Sequence, residues 1–164
     1  MKIFGISGWK NSGKTSLVER LVTEFTSRGL SVSTIKHAHH DFDIDHEGRD
    51  SFRHREAGAR EVLICSDTRW AMMHELRGAT EPTLLDLLNK LAPCDLVLVE
   101  GFKGEPMDRI ECYRAEVDNA PRARFDDRVL ALAVDATVDN IRQPQLPLED
   151  TKAIADFIAN HLEL

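Results

Sequence analysis

Cysteine is scarce in this sequence and is never closely paired. The three cysteines, Cys65, Cys94 and Cys112, lie far apart, and no Cys-x-x-Cys pair occurs. Disulfide frameworks use an even set of cysteines, and thiolate zinc sites use closely spaced pairs. We therefore expect three buried, reduced thiols, and neither a disulfide scaffold nor a cysteine zinc site.

Long apolar runs are also missing. A membrane-spanning helix needs about 20 consecutive apolar residues, and no hydrophobic stretch of this sequence approaches that length. The first eight residues hold one basic residue and a very short apolar stretch before a polar segment, which is not the pattern of a signal peptide. We expect a cytoplasmic protein that has no membrane partner.

The chain has no excess of positive charge. Its 21 basic and 28 acidic residues give a formal net charge of −7, so we expect no global basic surface and no nucleic-acid partner. One local group of basic residues consists of Arg49, Arg53, His54, Arg55 and Arg60. We interpret most of this group as a solvated helix face. The length suits one compact core, and the absence of repeats or an evident boundary predicts a single domain over 1–164.

The beginning of the chain shows a strand, a polar loop, a helix and a second strand. Residues 2–7 form a short apolar run, and after Lys14 apolar residues recur at spacings of three and four, which predicts an amphipathic helix. Gly29 is the typical residue just after such a helix. The β-branched residues of 31–36 predict another strand. A helical crossover implies that the two strands are parallel.

The remaining pattern also alternates between helices and strands. It predicts helices over 51–57, from Pro82 and over 150–162, loops over 37–50 and 140–147, and strands over 61–65, 69–76, 95–100, 110–113 and 129–134. The short turn between the first two of these strands predicts a β-hairpin. We expect an α/β fold of the P-loop NTPase class, with a mostly parallel central sheet flanked by helices and a β-hairpin extension.

One segment matches the phosphate-binding loop pattern G-x-x-x-x-G-K-[ST] in full. It consists of Gly8, Trp9, Lys10, Asn11, Ser12, Gly13, Lys14 and Thr15, and Ser16 follows it. Glycines allow backbone N–H groups to surround phosphate oxygens, and the following helix directs its positive end at them. In this pattern the lysine reaches the β- and γ-phosphates, and the threonine hydroxyl binds Mg²⁺. We therefore predict a site for a purine nucleoside triphosphate with Mg²⁺.

A P-loop enzyme needs an acid on a neighbouring strand. Glu100 closes the apolar run 95–99, so it should lie at the carboxyl edge of the sheet, where ligands bind. We predict that it binds the metal through water or polarises the attacking water. Asp41, in the polar segment after the second strand, is the preferred further contact for Mg²⁺. Asp95 begins its strand at the far edge, and we interpret it as structural.

Three other features have two interpretations each. The histidines of the polar segment, His37, His39 and His40, suggest zinc, but we favour a loop that contacts nucleotide or substrate. Lys10 either reaches a phosphate, in its own or a partner subunit, or is simply exposed. Asp135 ends a late strand and either accepts N1–H and N2–H of guanine or caps a turn, and the usual Asn-Lys-x-Asp guanine signature is missing.

Four segments resemble the MobB family, the adaptor proteins B of molybdopterin-guanine dinucleotide biosynthesis. They are Gly8–Thr15, Lys36–Asp45, Gly48–Ala59 and Leu96–Lys103. The second and third segments are much more specific than the phosphate loop. The last third of the chain resembles the family weakly, apart from the strand that ends at Asp135.

The resemblance implies a homodimer that binds GTP, hydrolyses it weakly and assists MobA, the guanylyltransferase that joins GMP to molybdopterin. It also implies that Gly8–Thr15 hold the phosphates and Mg²⁺ and that Glu100 is the second acid. We accordingly assign catalysis to Lys14, Glu100 and Asp41. No glutamine or arginine finger stands out, so hydrolysis should be slow. A small-molecule kinase, a metallochaperone GTPase with a histidine-rich loop and a pure binding module stay open as alternatives.

Overall fold

The computed structural model describes residues 1–38, 42, 44–117 and 119–164. Its contacts divide the chain into two compact units. The first, called the sheet unit, comprises Met1–His37 and Leu87–Leu164, and the second, called the hairpin unit, comprises Ala38–Asp86. The assignment of 1–164 to one domain stays a prediction.

Helices and strands alternate along most of the described chain. In order they are β1 (Lys2–Gly8), α1 (Lys14–Ser27), β2 (Val32–Lys36), α2 (Asp50–Glu56), β3 (Glu61–Cys65), β4 (Trp70–His74), α3 (Leu84–Leu88), β5 (Leu96–Glu100), β6 (Arg109–Tyr113), a 3-10 helix (Arg122–Arg124), β7 (Val129–Val134), β8 (Gln145–Pro147) and α4 (Thr151–Leu162).

The sheet unit is built on six parallel strands in the order β2-β5-β1-β6-β7-β8. The register places Glu100 of β5 between Ile6 of β1 and Lys36 of β2. Gly8, the last residue of β1, pairs with Cys112 of β6. The carboxyl ends of the central strands therefore meet at one edge, and the loop after β1 leaves from that edge, where α/β folds bind ligands.

One face of the sheet packs against α1 and α4. The fully buried residues of this core include Phe4, Ile6, Leu17, Leu21, Phe25, Leu98, Ile110, Ile154 and Ile158. On both helices the buried positions recur at three and four residues, as an amphipathic helix requires. The side chain of Asp150 accepts a hydrogen bond of 3.0 Å from the backbone N–H of Ala153 and so caps the start of α4.

The hairpin unit contains α2 and the antiparallel pair β3 and β4. Val62 and Met73 face each other and are buried, whereas the neighbouring pair Leu63 and Met72 is exposed. Successive side chains of a strand point to opposite faces of a sheet. The alternation therefore leaves one apolar face of the hairpin open, and Trp70, 65% exposed, lies on that face.

The basic group around α2 is mostly solvated, as the sequence predicts. Four of its members are exposed: Arg49, Arg53, His54 and Arg60. Arg55 is different, because its guanidinium lies 3.4 Å from Asp45 and 3.0 Å from Glu75. Its side chain is only 16% exposed, so it holds the hairpin unit together through ion pairs.

The predicted α/β fold with a hairpin is confirmed, and three details are wrong. Residues 145–147 form β8 rather than part of a loop, because they pair with the edge of β7, and an edge strand tolerates proline. The helix predicted to begin at Pro82 instead begins at Leu84, and it ends at Leu88, before Leu91. Of the three cysteines only Cys112 is buried, since Cys65 is exposed and Cys94 half-buried. None of the helices in the described part of the chain has both the length and the apolar composition needed to span a bilayer.

Candidate functional site

The loop between β1 and α1 curls tightly at its two glycines. Gly8 and Gly13 have φ angles of 142° and 92°, a region that side chains rarely adopt. A Cβ on Gly8 would lie 2.4 Å from Ser12 Oγ and 2.5 Å from the Cys112 carbonyl. The first glycine is therefore required by packing as well as by φ.

Lys14 and Ser12 lie inside the curve of this loop. The Lys14 ammonium donates to the Trp9 carbonyl at 2.6 Å, so the side chain folds back over the loop. Ser12 is fully buried, and its hydroxyl has no hydrogen-bond partner in the described part of the chain. Among the other loop residues, Lys10 and Asn11 are exposed, as is Ser16 at the start of α1.

Thr15 and Glu100 meet at the carboxyl edge of the sheet. The Thr15 hydroxyl donates to Glu100 Oε1 at 3.0 Å. The Lys36 ammonium lies 3.2 Å from the Thr15 hydroxyl and 3.4 Å from the same Glu100 oxygen. The side chain of Glu100 is only 10% exposed, so most of it is shielded from solvent.

This pair fits a Mg²⁺ ion on chemical grounds. Mg²⁺ prefers hard oxygen ligands and usually takes one or two of them from the protein. Thr15 and Glu100 supply a hydroxyl and a carboxylate oxygen, and the Lys36 ammonium already bridges the two atoms as a cation would. The structure thus brings together two of the three predicted metal residues, and the third, Asp41, lies outside the described residues.

The turn after Glu100 is held by close packing. Gly101 has a φ of 98°, and a Cβ there would lie 2.9 Å from the Cβ of His37. The rings of His37 and Phe102 contact each other at an angle of 34°, with centroids 4.7 Å apart. His37 therefore has a packing role in the sheet unit, while His39 and His40 lie outside the described residues. No group of three histidines, cysteines or acids suited to a metal occurs in the part of the chain that the structure describes.

An open cavity of about 430 Å³ lies beside the start of α1. Its lining comprises Asn11, Gly13, Lys14, Thr15, Ser16, Arg114 and Glu116. Sequence reasoning missed Arg114 and Glu116, although both follow β6 and so leave the sheet at the ligand-binding edge. Arg114 also lies 3.4 Å from Glu149, in a solvent-accessible ion pair.

Asp135 supports the cavity from the end of β7. Its Oδ1 accepts a hydrogen bond of 2.9 Å from the backbone N–H of Ala115, between the two cavity residues Arg114 and Glu116. Asp135 itself is exposed. Asp135 therefore holds a turn 20 residues earlier in the chain, and its contact with guanine stays a prediction.

Asp95 stands at the opposite edge, as the sequence predicts. Its carboxylate accepts from the backbone N–H of Ser31 at 2.8 Å and from its hydroxyl at 2.6 Å. These hydrogen bonds, the hydroxyl first, lower the pKa of Asp95. The acid ties the beginnings of β2 and β5 together and takes no part in the site.

This chain is similar to known proteins along nearly its whole length. Residues 3–135 match the family model "MobB: Molybdopterin guanine dinucleotide synthesis protein B". A molybdopterin-guanine dinucleotide biosynthesis adapter protein of Haemophilus influenzae is 42% identical over 98% of this chain and 89% of its own length. One of the same name from Escherichia coli is 34% identical over 98% of this chain and 93% of its own length.

Solved structures extend the comparison to the fold. The crystal structure of a molybdopterin-guanine biosynthesis protein B superposes on this chain with a TM-score of 0.77 and 27% identity, covering 98% of this chain and 99% of that one. The likeness therefore includes the last third, where the resemblance of the sequence is weak. On the match of residues 3–135 and the two relatives that align along nearly the whole chain, this protein belongs to the MobB family.

Proposed function

We propose that this protein binds GTP with Mg²⁺ in the loop Gly8–Thr15. The observation that carries the proposal is the arrangement at the start of α1, where the Lys14 ammonium folds back onto the Trp9 carbonyl of the loop and the Thr15 hydroxyl donates to Glu100. Lys14 neutralises charge on the β- and γ-phosphates. Thr15 and Glu100 hold Mg²⁺, which supplies further neutralisation of phosphate charge when it is bound.

We further propose that hydrolysis is slow and that the protein acts as an adaptor. The two bacterial relatives are named as adapter proteins of molybdopterin-guanine dinucleotide biosynthesis. By family membership, this chain would assist the guanylyltransferase MobA in joining GMP to molybdopterin, as a homodimer in the cytoplasm. Completion of the site by a partner or a second subunit would explain a low intrinsic rate.

A binding titration tests the nucleotide site. GTP and ATP are titrated by calorimetry into the unmodified chain and into Lys14→Ala, each with and without Mg²⁺. We expect GTP binding that needs Mg²⁺ and a loss of at least about 100-fold in affinity for Lys14→Ala, because a phosphate-binding cation in a closed loop is removed. Lys152→Ala on α4, an exposed lysine far along the chain, serves as the control. Unchanged GTP affinity in Lys14→Ala would remove the site assignment.

Base selectivity is tested at the end of β7. Asp135→Ala should weaken GTP more than ATP if the carboxylate recognises guanine. Equal weakening of both nucleotides would leave Asp135 with only its hydrogen bond to Ala115. The adaptor role needs a separate assay, in which the chain is added to MobA, molybdopterin and GTP. Formation of the dinucleotide at an unchanged rate would contradict assistance to the transferase.

A further inference from the structure

Trp9 occupies the second position of the phosphate loop and is flanked by two cations. The Lys103 ammonium lies 5.2 Å from the centroid of its ring, and the Arg122 guanidinium lies 5.1 Å from it. The indole N–H donates to the Ala120 carbonyl at 3.2 Å, which fixes the plane of the ring. Cation–π contacts of this kind orient a charged group without neutralising its charge.

The segment that carries Lys103 is held by a buried arginine. Arg109 is 3% exposed, and its guanidinium donates to the carbonyls of Lys103, Glu105 and Met107, at 3.0 Å to Lys103 and 3.1 Å to Met107. Gly5 makes room for it, since a Cβ there would lie 2.9 Å from the Cβ of Arg109. A buried charge shared among three carbonyls gives the backbone at Lys103 a defined course.

The segment that carries Arg122 is held by a buried acid two residues further along β6. Glu111 is fully buried, and its two oxygens accept from the backbone N–H groups of Arg122 and Ala123 at 3.0 and 2.9 Å. Burial raises the pKa of Glu111, while these two hydrogen bonds and the nearby guanidinium oppose the rise. Each cation on Trp9 thus has its own buried anchor on the same strand.

Both cations and the loop lysine Lys14 contact the same residue, Trp9. Lys14 donates to the carbonyl of Trp9, and the lysine of this motif reaches the β- and γ-phosphates. The pKa of Lys103 is lowered by burial first and then by repulsion from Arg122 and Lys14. The carboxylate of Glu111 offsets part of this repulsion, and a further anion placed among the three positive groups would stabilise them.

We propose that Lys103 and Arg122, oriented on the ring of Trp9, form a second clamp for the terminal phosphate of a nucleoside triphosphate held in the loop. The clamp rests on the proposed function, and it adds discrimination between triphosphate and diphosphate. Arg109 and Glu111 are positioning residues, because they hold the backbone segments that carry the two cations. Trp9 is the loop residue whose ring holds these two cations, which come from other segments of the chain, within reach of the phosphate.

The test compares GTP with GDP in variants of one side chain. Lys103→Met keeps a long stem against the indole ring but removes the charge, whereas Lys103→Arg keeps the charge. By calorimetry with Mg²⁺, we expect Lys103→Met to bind GTP about 10- to 100-fold more weakly and GDP within about threefold of the unmodified chain, as loss of a charge-assisted contact to one phosphate predicts. Lys103→Arg should restore most of the preference for GTP.

Arg122→Gln is the second variant, and it should lose GTP affinity in the same selective way. Lys152→Met and Arg142→Gln, at exposed positions outside the cluster, are the matched controls and should change neither affinity. Circular dichroism of each variant shows whether the fold is kept. An equal loss of GTP and GDP affinity, or no loss, in folded Lys103→Met and Arg122→Gln would overturn the clamp. GDP and GTP both failing to bind the unmodified chain would overturn the proposed function and the clamp with it.

Discussion

The sheet unit and the hairpin unit use β-strands in opposite ways. All five residues of β5 are buried, and its neighbours β1 and β2 pair with it on both sides. In β4 only Met73 is buried, and Trp70 and Met72 face outward. A central parallel strand is covered on both faces, so its sequence is an apolar run, whereas a two-stranded hairpin covers one face and alternates.

This difference explains why the proposed chemistry belongs to the sheet unit. A strand that is fully buried gives its last residue a defined place, and Glu100 is positioned beside Thr15 in this way. The buried charges Arg109 and Glu111 likewise hold segments that leave the sheet. In the hairpin unit the well-buried charges, Arg55 and Asp45, serve an ion pair within the unit.

The largest expected effect on the free energy of unfolding comes from removing a buried side chain in the sheet unit, compared with an exposed one in the hairpin unit. Leu98→Ala in β5 removes a side chain that is fully buried, so the free energy of unfolding should fall by about 2–5 kcal/mol. Leu63→Ala in β3 removes one that is 62% exposed and should change it by no more than about 0.5 kcal/mol. Urea unfolding followed by circular dichroism measures both. Equal losses for the two variants would contradict the contrast in burial.

A smaller effect is expected when a glycine of each unit is compared. Gly8 and Gly58 both have positive φ, but a Cβ would clash only at Gly8, where Ser12 and Cys112 are within 2.5 Å, and would meet nothing within 4 Å at Gly58. Gly58→Ala should lower the free energy of unfolding by roughly 1–2 kcal/mol. Gly8→Ala should cost at least about 1 kcal/mol more, because overpacking is added to the backbone strain. Thermal unfolding of both variants measures this, and an equal cost would show that the loop relaxes around the methyl group.

The smallest effect is a difference in the labelling rates of the three cysteines, which involves no change in stability. Burial is the main cause that raises the pKa of Cys112 to about 12. A thiol becomes reactive only as its thiolate forms above its pKa, so Cys112 should stay protonated and unlabelled at about pH 8 in the folded protein. Cys65 is exposed and should label readily, and Cys94 should label more slowly. Mass spectrometry after brief labelling identifies each site. Rapid labelling of Cys112 in folded protein would contradict its burial.

Local patterns predicted much of this molecule. The loop Gly8–Thr15, the helix after it and the acid at the end of β5 follow from spacing alone, because a strand, a turn and a helix each leave a short-range signal. Arg114, Glu116 and Arg122 carried no such signal, and Lys103 lay in a segment that resembles the family but was given no role. They come close to the loop only because the parallel order of the strands brings distant turns to one edge.

Errors in the sequence predictions have the same origin. β8 lies in a proline- and glutamine-rich stretch, and it is a strand only because the edge of β7 is available to pair with it. Cys65 was expected to be buried on residue type, but register places it opposite Trp70 on the open face of the hairpin. In both cases the structure of the segment depends on pairing with another strand, which the local sequence does not show.

Motifs and spacing alone were enough to identify the phosphate loop, most of the helices and strands, the acid that ends β5 and the resemblance to the MobB family. These depend on contacts between neighbours in the chain or on motifs that can be read directly. The folded structure was needed to show which side chains surround the loop, that Asp135 holds the turn at Ala115, and that Arg109 and Glu111 are buried anchors. The physical reason is that hydrogen bonds and burial of charged groups depend on the partners that the sheet order brings together, and those partners lie far apart in the chain.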